Sequence, residues 1–208
     1  MKRVYVMLVL ALAGCASKPQ PPGWQPNARD ALDGYTDAWL KGDTPAADAE
    51  FARARRETAS TGRFDHVAQA ELVRCAVQVA ALETDCPGFA AIAAEATPAQ
   101  RAYAAYLEGH WQGLDAGLLP AQHRPVVASG TLAGVADPLA RLVAAGALLR
   151  AGRITPGDIG VAVETASEQG WRRPLLAWLG VQEKRAQAAG DGAAVERVRK
   201  RIALVAGN

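Results

Sequence analysis

Three histidines are the side chains of this 208-residue chain best suited to proton transfer near neutral pH. His66 follows Asp65, His110 stands two residues after Glu108 in "YLEGHW", and His123 lies in "PAQHRP". A histidine that a carboxylate orients can act as a general base. Neighbouring residues on a helix point to different sides, however, and no nucleophile or oxyanion-binding sequence accompanies these pairs. We therefore expect structural roles for the histidines and assign no catalytic residue.

The same residues contain donor atoms that zinc accepts. Glu108, His110 and His123 could bind the ion in principle, but their spacing matches no zinc-binding motif. The sequence also has no H-E-x-x-H, G-x-S-x-G or C-x-x-C motif and no glycine-rich phosphate loop. We predict neither a metal site nor a cofactor.

Two cysteines, Cys75 and Cys86, stand eleven positions apart. Cys75 falls on the apolar side of "AELVRCAVQVAAL", and Cys86 follows the turn that residues 83–85 predict. Such a hairpin folds the second cysteine back toward the first helix. Free thiols at this spacing pair readily in an oxidising compartment, so we expect a disulfide. Two buried thiols are the alternative.

The third cysteine, Cys15, ends an apolar stretch near the start of the chain. Lys2 and Arg3 precede the uncharged run from Val4 to Ala13, which is the plan of a secretory signal. The run is about half the length that a helix needs to cross a bilayer, and a proline-rich segment follows it. A lasting transmembrane span is therefore not expected.

The residues Leu12-Ala13-Gly14-Cys15 resemble the lipobox of bacterial lipoproteins. The resemblance implies cleavage after a signal peptide of residues 1–14 and acyl chains on the sulfur of Cys15, which would anchor the protein in a membrane. In that family a residue other than aspartate after the cysteine, here Ala16, favours the outer membrane. We expect a bacterial envelope protein on the periplasmic face of the outer membrane, with the lipidated cysteine and a proline-rich tether over residues 15–27.

The charge of the chain argues against nucleic-acid binding. When Lys2 and Arg3 leave with the signal, 21 basic and 21 acidic residues remain. A balanced chain has no overall attraction to a polyanion.

Helix signals dominate the rest of the sequence. Alanine is abundant, and a capping side chain precedes a proline at Thr44-Pro45, Thr97-Pro98, Asp137-Pro138 and Thr155-Pro156. We predict an all-α domain over residues 28–208, with loops and short turns over 112–136 between possible lobes 28–111 and 137–208. The predicted helices lie near residues 28–41, 45–59, 64–82, 87–95, 98–111, 138–151, 156–169, 172–188 and 192–205.

The stretch "KGDTPAADAEFARA" is similar to the second half of a tetratricopeptide repeat. Gly42 begins the turn, Ala47 and Ala54 are the small residues that let two helices touch, and Phe51 is the ring between them. A second glycine-aspartate turn at residues 190–191 has Val195 and Arg199 at the corresponding positions. The resemblance implies antiparallel helical hairpins that stack as repeats; an irregular helical bundle is the alternative.

Two groups of residues are candidate contact surfaces. Arg197 and Arg201 share one side of a helix and could meet anionic lipid headgroups or an acidic partner, although a solvated helix face is the commoner cause. Trp171 and Arg172 stand at a helix entrance, where they could bind a partner or close the core.

Two functions from different classes remain. The first is a lipid-anchored interaction or structural protein that presents a helical surface to another envelope protein. The second is an envelope hydrolase or a small-ligand-binding lipoprotein. The absence of catalytic spacing favours the first. A closed polar pocket with a histidine and a carboxylate would favour the second, and an open apolar groove would favour the first.

Overall fold

The computed structural model describes residues 22–207, and this part of the chain is all-α, as the sequence predicts. It contains no strand between residues 22 and 207. The helices are α1 Trp24–Lys41, α2 Thr44–Ala59, α3 Phe64–Ala80, α4 Pro87–Ala90, α5 Pro98–Leu107, α6 Arg124–Ser129, α7 Pro138–Arg150, α8 Pro156–Glu168, α9 Arg172–Ala188 and α10 Gly192–Ala206. Short 3₁₀ turns lie at Ala93–Glu95, Ala116–Leu118 and Ala121–His123.

Side-chain caps start several of these helices. Thr97 and Thr155 form capping boxes at α5 and α8, and Asp137 accepts a hydrogen bond from the backbone N–H of Ala140 at α7. The cap predicted at Thr44 was wrong by one residue. Asp43 accepts the hydrogen bond from the N–H of Ala46, and Thr44 lies inside α2. A carboxylate one position earlier reaches the same free N–H groups.

Several helix ends differ from the predicted ones. Helix α1 begins at Trp24, so residues 24–27 are helical and not part of an extended tether. Pro26 fits there because the first turn of a helix has N–H groups without intrahelical partners. The predicted helix over 87–95 is a four-residue helix followed by a 3₁₀ turn.

Helix α3 lies at the centre of the packing. It contacts α1, α2, α5 and α7, while α1–α2, α7–α8, α8–α9 and α9–α10 pack as successive neighbours. The α3–α7 crossing is close because Gly146 of α7 has no side chain. A Cβ at Gly146 would overlap the backbone carbonyl of Val79.

Buried apolar residues form two clusters. The smaller one joins α1, α2 and α3 around Tyr35 and Phe51, and the larger one extends from α3 to α10. The larger cluster includes residues from both possible lobes, such as Leu72 and Leu148, and Leu119, Val126 and Leu132 of the 112–136 region also belong to it. Leu139 and Trp171 pack against both clusters.

The two glycine-aspartate turns connect hairpins in the same way. Gly42 and Gly190 have φ values of 93° and 71°, a region that favours glycine, and the aspartate after each caps the next helix. In the first hairpin Ala47 and Ala54 are fully buried and Phe51 packs against Tyr35. In the second, Val195 is buried and Arg199 is exposed.

Candidate functional site

A groove runs along the solvent side of α3. It consists of two adjoining depressions, of about 440 and 250 Å³, which share the side chains of Gln69 and Val73. We call it the α3 groove. Its lining includes Trp24, Ala28, Leu32, Thr58, His66, Gln69, Ala70, Val73, Ala76, Val77, Tyr103, His123, Leu139, Ala140 and Val143.

Helical periodicity explains why α3 forms the floor. Positions 66, 69, 70, 73, 76 and 77 recur every three or four residues and therefore share one side of the helix. Helix α1 lines the larger depression with Trp24 and Leu32, and the start of α7 lines the smaller one with Leu139. The stretch from His66 to Val77 extends about 16 Å along the helix axis.

The groove has an apolar floor and a polar rim. Val73, Leu32 and Leu139 are half-buried, so each keeps part of its apolar surface in contact with solvent. Gln69 is exposed between the two depressions, and Arg29, Asp33 and Asp137 line the edges. An apolar strip with polar edges is suited to binding an amphipathic segment.

His66 and Trp24 close one end of the groove. Their rings stack with centroids 4.6 Å apart, and Nδ1 of His66 lies 3.1 Å from the Thr61 hydroxyl. Trp24, expected in the tether, docks on the folded body at the first turn of α1. His66 therefore has an aromatic and a hydroxyl neighbour, and its packing fixes the start of α1 against α3.

His123 lies in the wall at the other end of the groove. Its side chain is almost fully buried, and its Nδ1 lies 3.2 Å from the hydroxyl of Tyr106. Burial lowers the pKa of His123 to about 4, although the carboxylate of Asp137 acts in the opposite direction. Burial raises the pKa of Tyr106 above its usual range. The tyrosine thus stays protonated, and its hydroxyl shares a hydrogen bond with a neutral imidazole.

His110 is on the surface and lines neither depression of the groove. Its Nδ1 lies 3.2 Å from a carboxylate oxygen of Glu108, and the side chain is 75% exposed. The three histidines thus have different neighbours and do not converge on one site. Between residues 22 and 207 no group of three or more His, Cys, Asp and Glu side chains is arranged to hold a metal ion.

Cys75 and Cys86 lie at disulfide-bonding distance, with Cα atoms 5.3 Å apart. The pair connects α3 to the start of α4. The buried side chain of Glu71 lines the same small cavity as the two cysteines. Glu71 accepts a hydrogen bond from Nε of Arg55 at 2.9 Å. Its other oxygen lies against Gly88, where a Cβ would overlap the carboxylate.

The candidate contact residues fall into two situations. Arg197 and Arg201 line a shallow depression between α9 and α10 and keep their guanidinium groups near solvent. Trp171 packs against both buried clusters, and Arg172 donates hydrogen bonds to the carbonyl oxygens at the end of α10. Trp171 and Arg172 thus make the intramolecular contacts that a core-closing role requires.

Two features of the structure were not predicted from the sequence. The first is the α3 groove itself; the signal was an apolar surplus on α3, where Val73 and Val77 lie beside the stripe formed by Leu72 and Val79. The second is the partner of Arg173, a cation at the same helix entrance as Trp171 and Arg172: its guanidinium lies 3.9 Å from the centre of the Trp39 ring and donates to the Trp39 carbonyl oxygen. No sequence signal identified its partner, which is 134 residues away.

Cys15, the predicted lipid attachment point, lies outside the described residues. Among residues 22–207, no helix is both long enough and apolar enough to cross a membrane. No protein-family model matches the chain, and neither a curated protein nor a solved structure is significantly similar to it.

Proposed function

We propose that this chain is a lipid-anchored interaction protein of the bacterial envelope, which holds a helical segment of a second envelope protein in the α3 groove. The LAGC stretch that ends at Cys15 supports the anchor. The α3 groove is the single observation that supports the binding role. It is an open apolar strip beside a folded helical scaffold, and this is the arrangement expected of a contact protein.

The dimensions of the groove favour a helix as its occupant. A floor about 16 Å long matches about three turns of α-helix, which would place apolar anchors at i, i+3 or i+4, and i+7. The polar rim, with Arg29 at the larger depression and Asp137 at the smaller one, would face the polar sides of that helix. A small ligand is a poorer fit because such sites enclose most of the ligand surface, whereas this groove is open along its length.

The surroundings of the histidines support contact over hydrolysis. His123 lies in the groove wall, but its Nδ1 is engaged by Tyr106 and burial keeps the ring neutral. His66 stacks on Trp24. Neither ring has a serine or cysteine nucleophile among its hydrogen-bond partners.

Site-specific photocrosslinking tests the binding role. A photoreactive residue at Gln69 is expected to crosslink one defined envelope protein in living cells. The matched control is the same residue at Gln187, an exposed glutamine on α9, which should give no such product. Adding Val73→Asn to the Gln69 probe should abolish the crosslink while circular dichroism stays unchanged. A product that survives Val73→Asn would contradict binding in the α3 groove.

The anchor is tested separately. Cys15→Ser should block lipid attachment, leaving uncleaved precursor or mislocalised protein, and metabolic labelling with a fatty acid should then give no signal. Normal acylation and membrane fractionation of this variant would end the lipoprotein proposal. The single variant His110→Ala alters a histidine that lines neither depression and should leave the crosslink intact in folded protein.

A further inference from the structure

Helix α10 presents an unusual combination of side chains to solvent. Its core side carries Val195, Val198 and Ile202. The residues on the opposite side are spaced by three, four and seven positions and therefore adjoin one another. One of them, Leu204, is 80% exposed. We call this surface the α10 face; its residues are Arg197, Lys200, Arg201 and Leu204.

The cations of the α10 face have few partners within the protein. Among residues 22–207, Arg197 and Lys200 form no ion pair, and Arg201 reaches a carboxylate oxygen of Glu164 only at 3.7 Å. Arg199 provides a contrast on the same helix, since Glu183 lies 2.8 Å from its Nε. The positive charges of the face are thus available to an external anion.

Formal charge is strongly divided along the chain. Residues 172–207, which contain α9 and α10, have eight basic and three acidic side chains, a formal charge of +5. Residues 22–171 have twelve basic and eighteen acidic side chains, a formal charge of −6. The near-neutral total therefore conceals a cationic hairpin, and charge complementarity predicts that its partner is anionic.

We propose that the α10 face rests on a membrane surface that contains anionic lipid headgroups. Arg197, Lys200 and Arg201 would bind headgroup phosphates, and Leu204 would enter the boundary between headgroups and acyl chains. Leu204 favours a lipid surface over an acidic protein, because a bilayer offers apolar material directly beneath a layer of negative charge. The interaction needs no acyl chain on Cys15, so it goes beyond the proposed function and is testable without it.

Vesicle binding tests the inference with the full chain carrying Cys15→Ser, which removes the predicted acylation site. Vesicles of phosphatidylcholine alone are compared with vesicles of phosphatidylcholine and phosphatidylglycerol in equal parts. We expect tighter binding to the anionic vesicles, and the preference should decrease as salt is added. The apolar run before Cys15 and the cations Lys2 and Arg3 also bind anionic vesicles, but this contribution is the same in every variant. The inference is therefore tested by the differences between variants.

Substitutions on the α10 face identify the residues responsible. Arg197→Gln with Arg201→Gln should weaken binding to anionic vesicles about 30-fold, the value expected for two lost cations. Arg197→Glu with Arg201→Glu should weaken it further. The matched control, Lys41→Glu with Arg56→Glu, makes the same charge change on the α1–α2 hairpin and should retain most of the preference. Leu204→Asn should weaken binding more than Val161→Asn, which alters an exposed valine on α8.

Three outcomes would overturn the inference. Equal loss in the α10 and control pairs would show an effect of net charge alone. Unchanged anionic binding in the α10 variants would place the contact elsewhere. Salt-sensitive self-association without vesicle binding, lost in the α10 variants, would identify a second copy of this chain as the partner. Circular dichroism of each variant shows whether it is folded, and the glutamine pair serves if the glutamate pair is not.

Discussion

The hydroxyl oxygen of Tyr106 lies 3.2 Å from Nδ1 of His123, inside the core, where the His123 side chain is 1% exposed. The hydroxyl and the neutral ring share a hydrogen bond at this nitrogen. Protonation of His123 would turn both ring nitrogens into donors and would place a charge in an apolar environment. The pair therefore connects the stability of the core to pH.

We expect the free energy of unfolding to fall as the pH is lowered from neutral. The pKa of His123 is about 4 in the folded protein and 6.5 in an exposed chain, so the unfolded state binds the proton first. Its contribution to stability is lost between these values, roughly 2 kcal/mol at pH 5. Urea unfolding across this pH range measures the slope.

The variant His123→Gln should reduce the slope. Carboxylates also titrate in this range, so the difference between variant and wild type isolates the contribution of His123. The control is His110→Gln, which removes an exposed histidine and retains His123. Identical slopes for wild type and His123→Gln would show that the buried ring is not the titrating group.

Reduction of the Cys75–Cys86 pair should destabilise the protein. A covalent link across a loop of this size restricts the unfolded chain and contributes about 2–3 kcal/mol. Alkylation under denaturing, non-reducing conditions should label neither cysteine, and the double variant Cys75→Ser with Cys86→Ser should unfold at lower urea. Labelling of both cysteines in freshly isolated periplasmic protein would refute the bond.

The close crossing of α3 and α7 predicts opposite effects for two identical substitutions. Gly146→Ala should destabilise the protein by about 1–3 kcal/mol, because its Cβ overlaps the Val79 carbonyl. Gly180→Ala in α9 meets no atom within 4 Å and should be neutral or stabilising by about 1 kcal/mol. Thermal unfolding of both variants checks the comparison, and equal stabilities would contradict the crossing.

Arg173 should be important for attachment of the α1–α2 hairpin. Its guanidinium stacks on Trp39, donates to the Trp39 carbonyl oxygen at 2.8 Å and also bonds the Thr44 hydroxyl. Arg173→Ala should cost about 2 kcal/mol, and Arg173→Lys should restore little because an ammonium group cannot reproduce the stacked, planar contact. Hydrogen exchange should accelerate mainly in α1 and α2. Full stability of the lysine variant would contradict this role.

Local chemistry was largely predictable from the sequence. Thr97, Asp137 and Thr155 were predicted as caps because a cap depends on a few neighbouring atoms, and the all-α class followed from many such signals. The start of α1 was missed because the prolines around Trp24 suggested an extended tether, while the contact that holds Trp24 is with His66, 42 residues later.

Features that depend on distant pairs were not predictable. The sequence predicts structural roles for the histidines without separating them, yet His123 is buried and His110 is exposed. Nothing beside either residue in the sequence separates them, since burial results from packing by Tyr103 and Tyr106. The α3 groove likewise needs α1 and α7 on either side of α3, which is a property of the packed helices.

The division of charge between residues 22–171 and 172–207 gives the molecule an electric dipole moment. In the field of a negatively charged surface, such a dipole experiences a torque before any atoms touch, and the α9–α10 end turns toward the surface. The protein would therefore approach in a selected orientation. At ordinary ionic strength, counterions screen this interaction over a distance of about 10 Å. The fraction of encounters in which the α9–α10 end meets the surface first should therefore fall as salt rises.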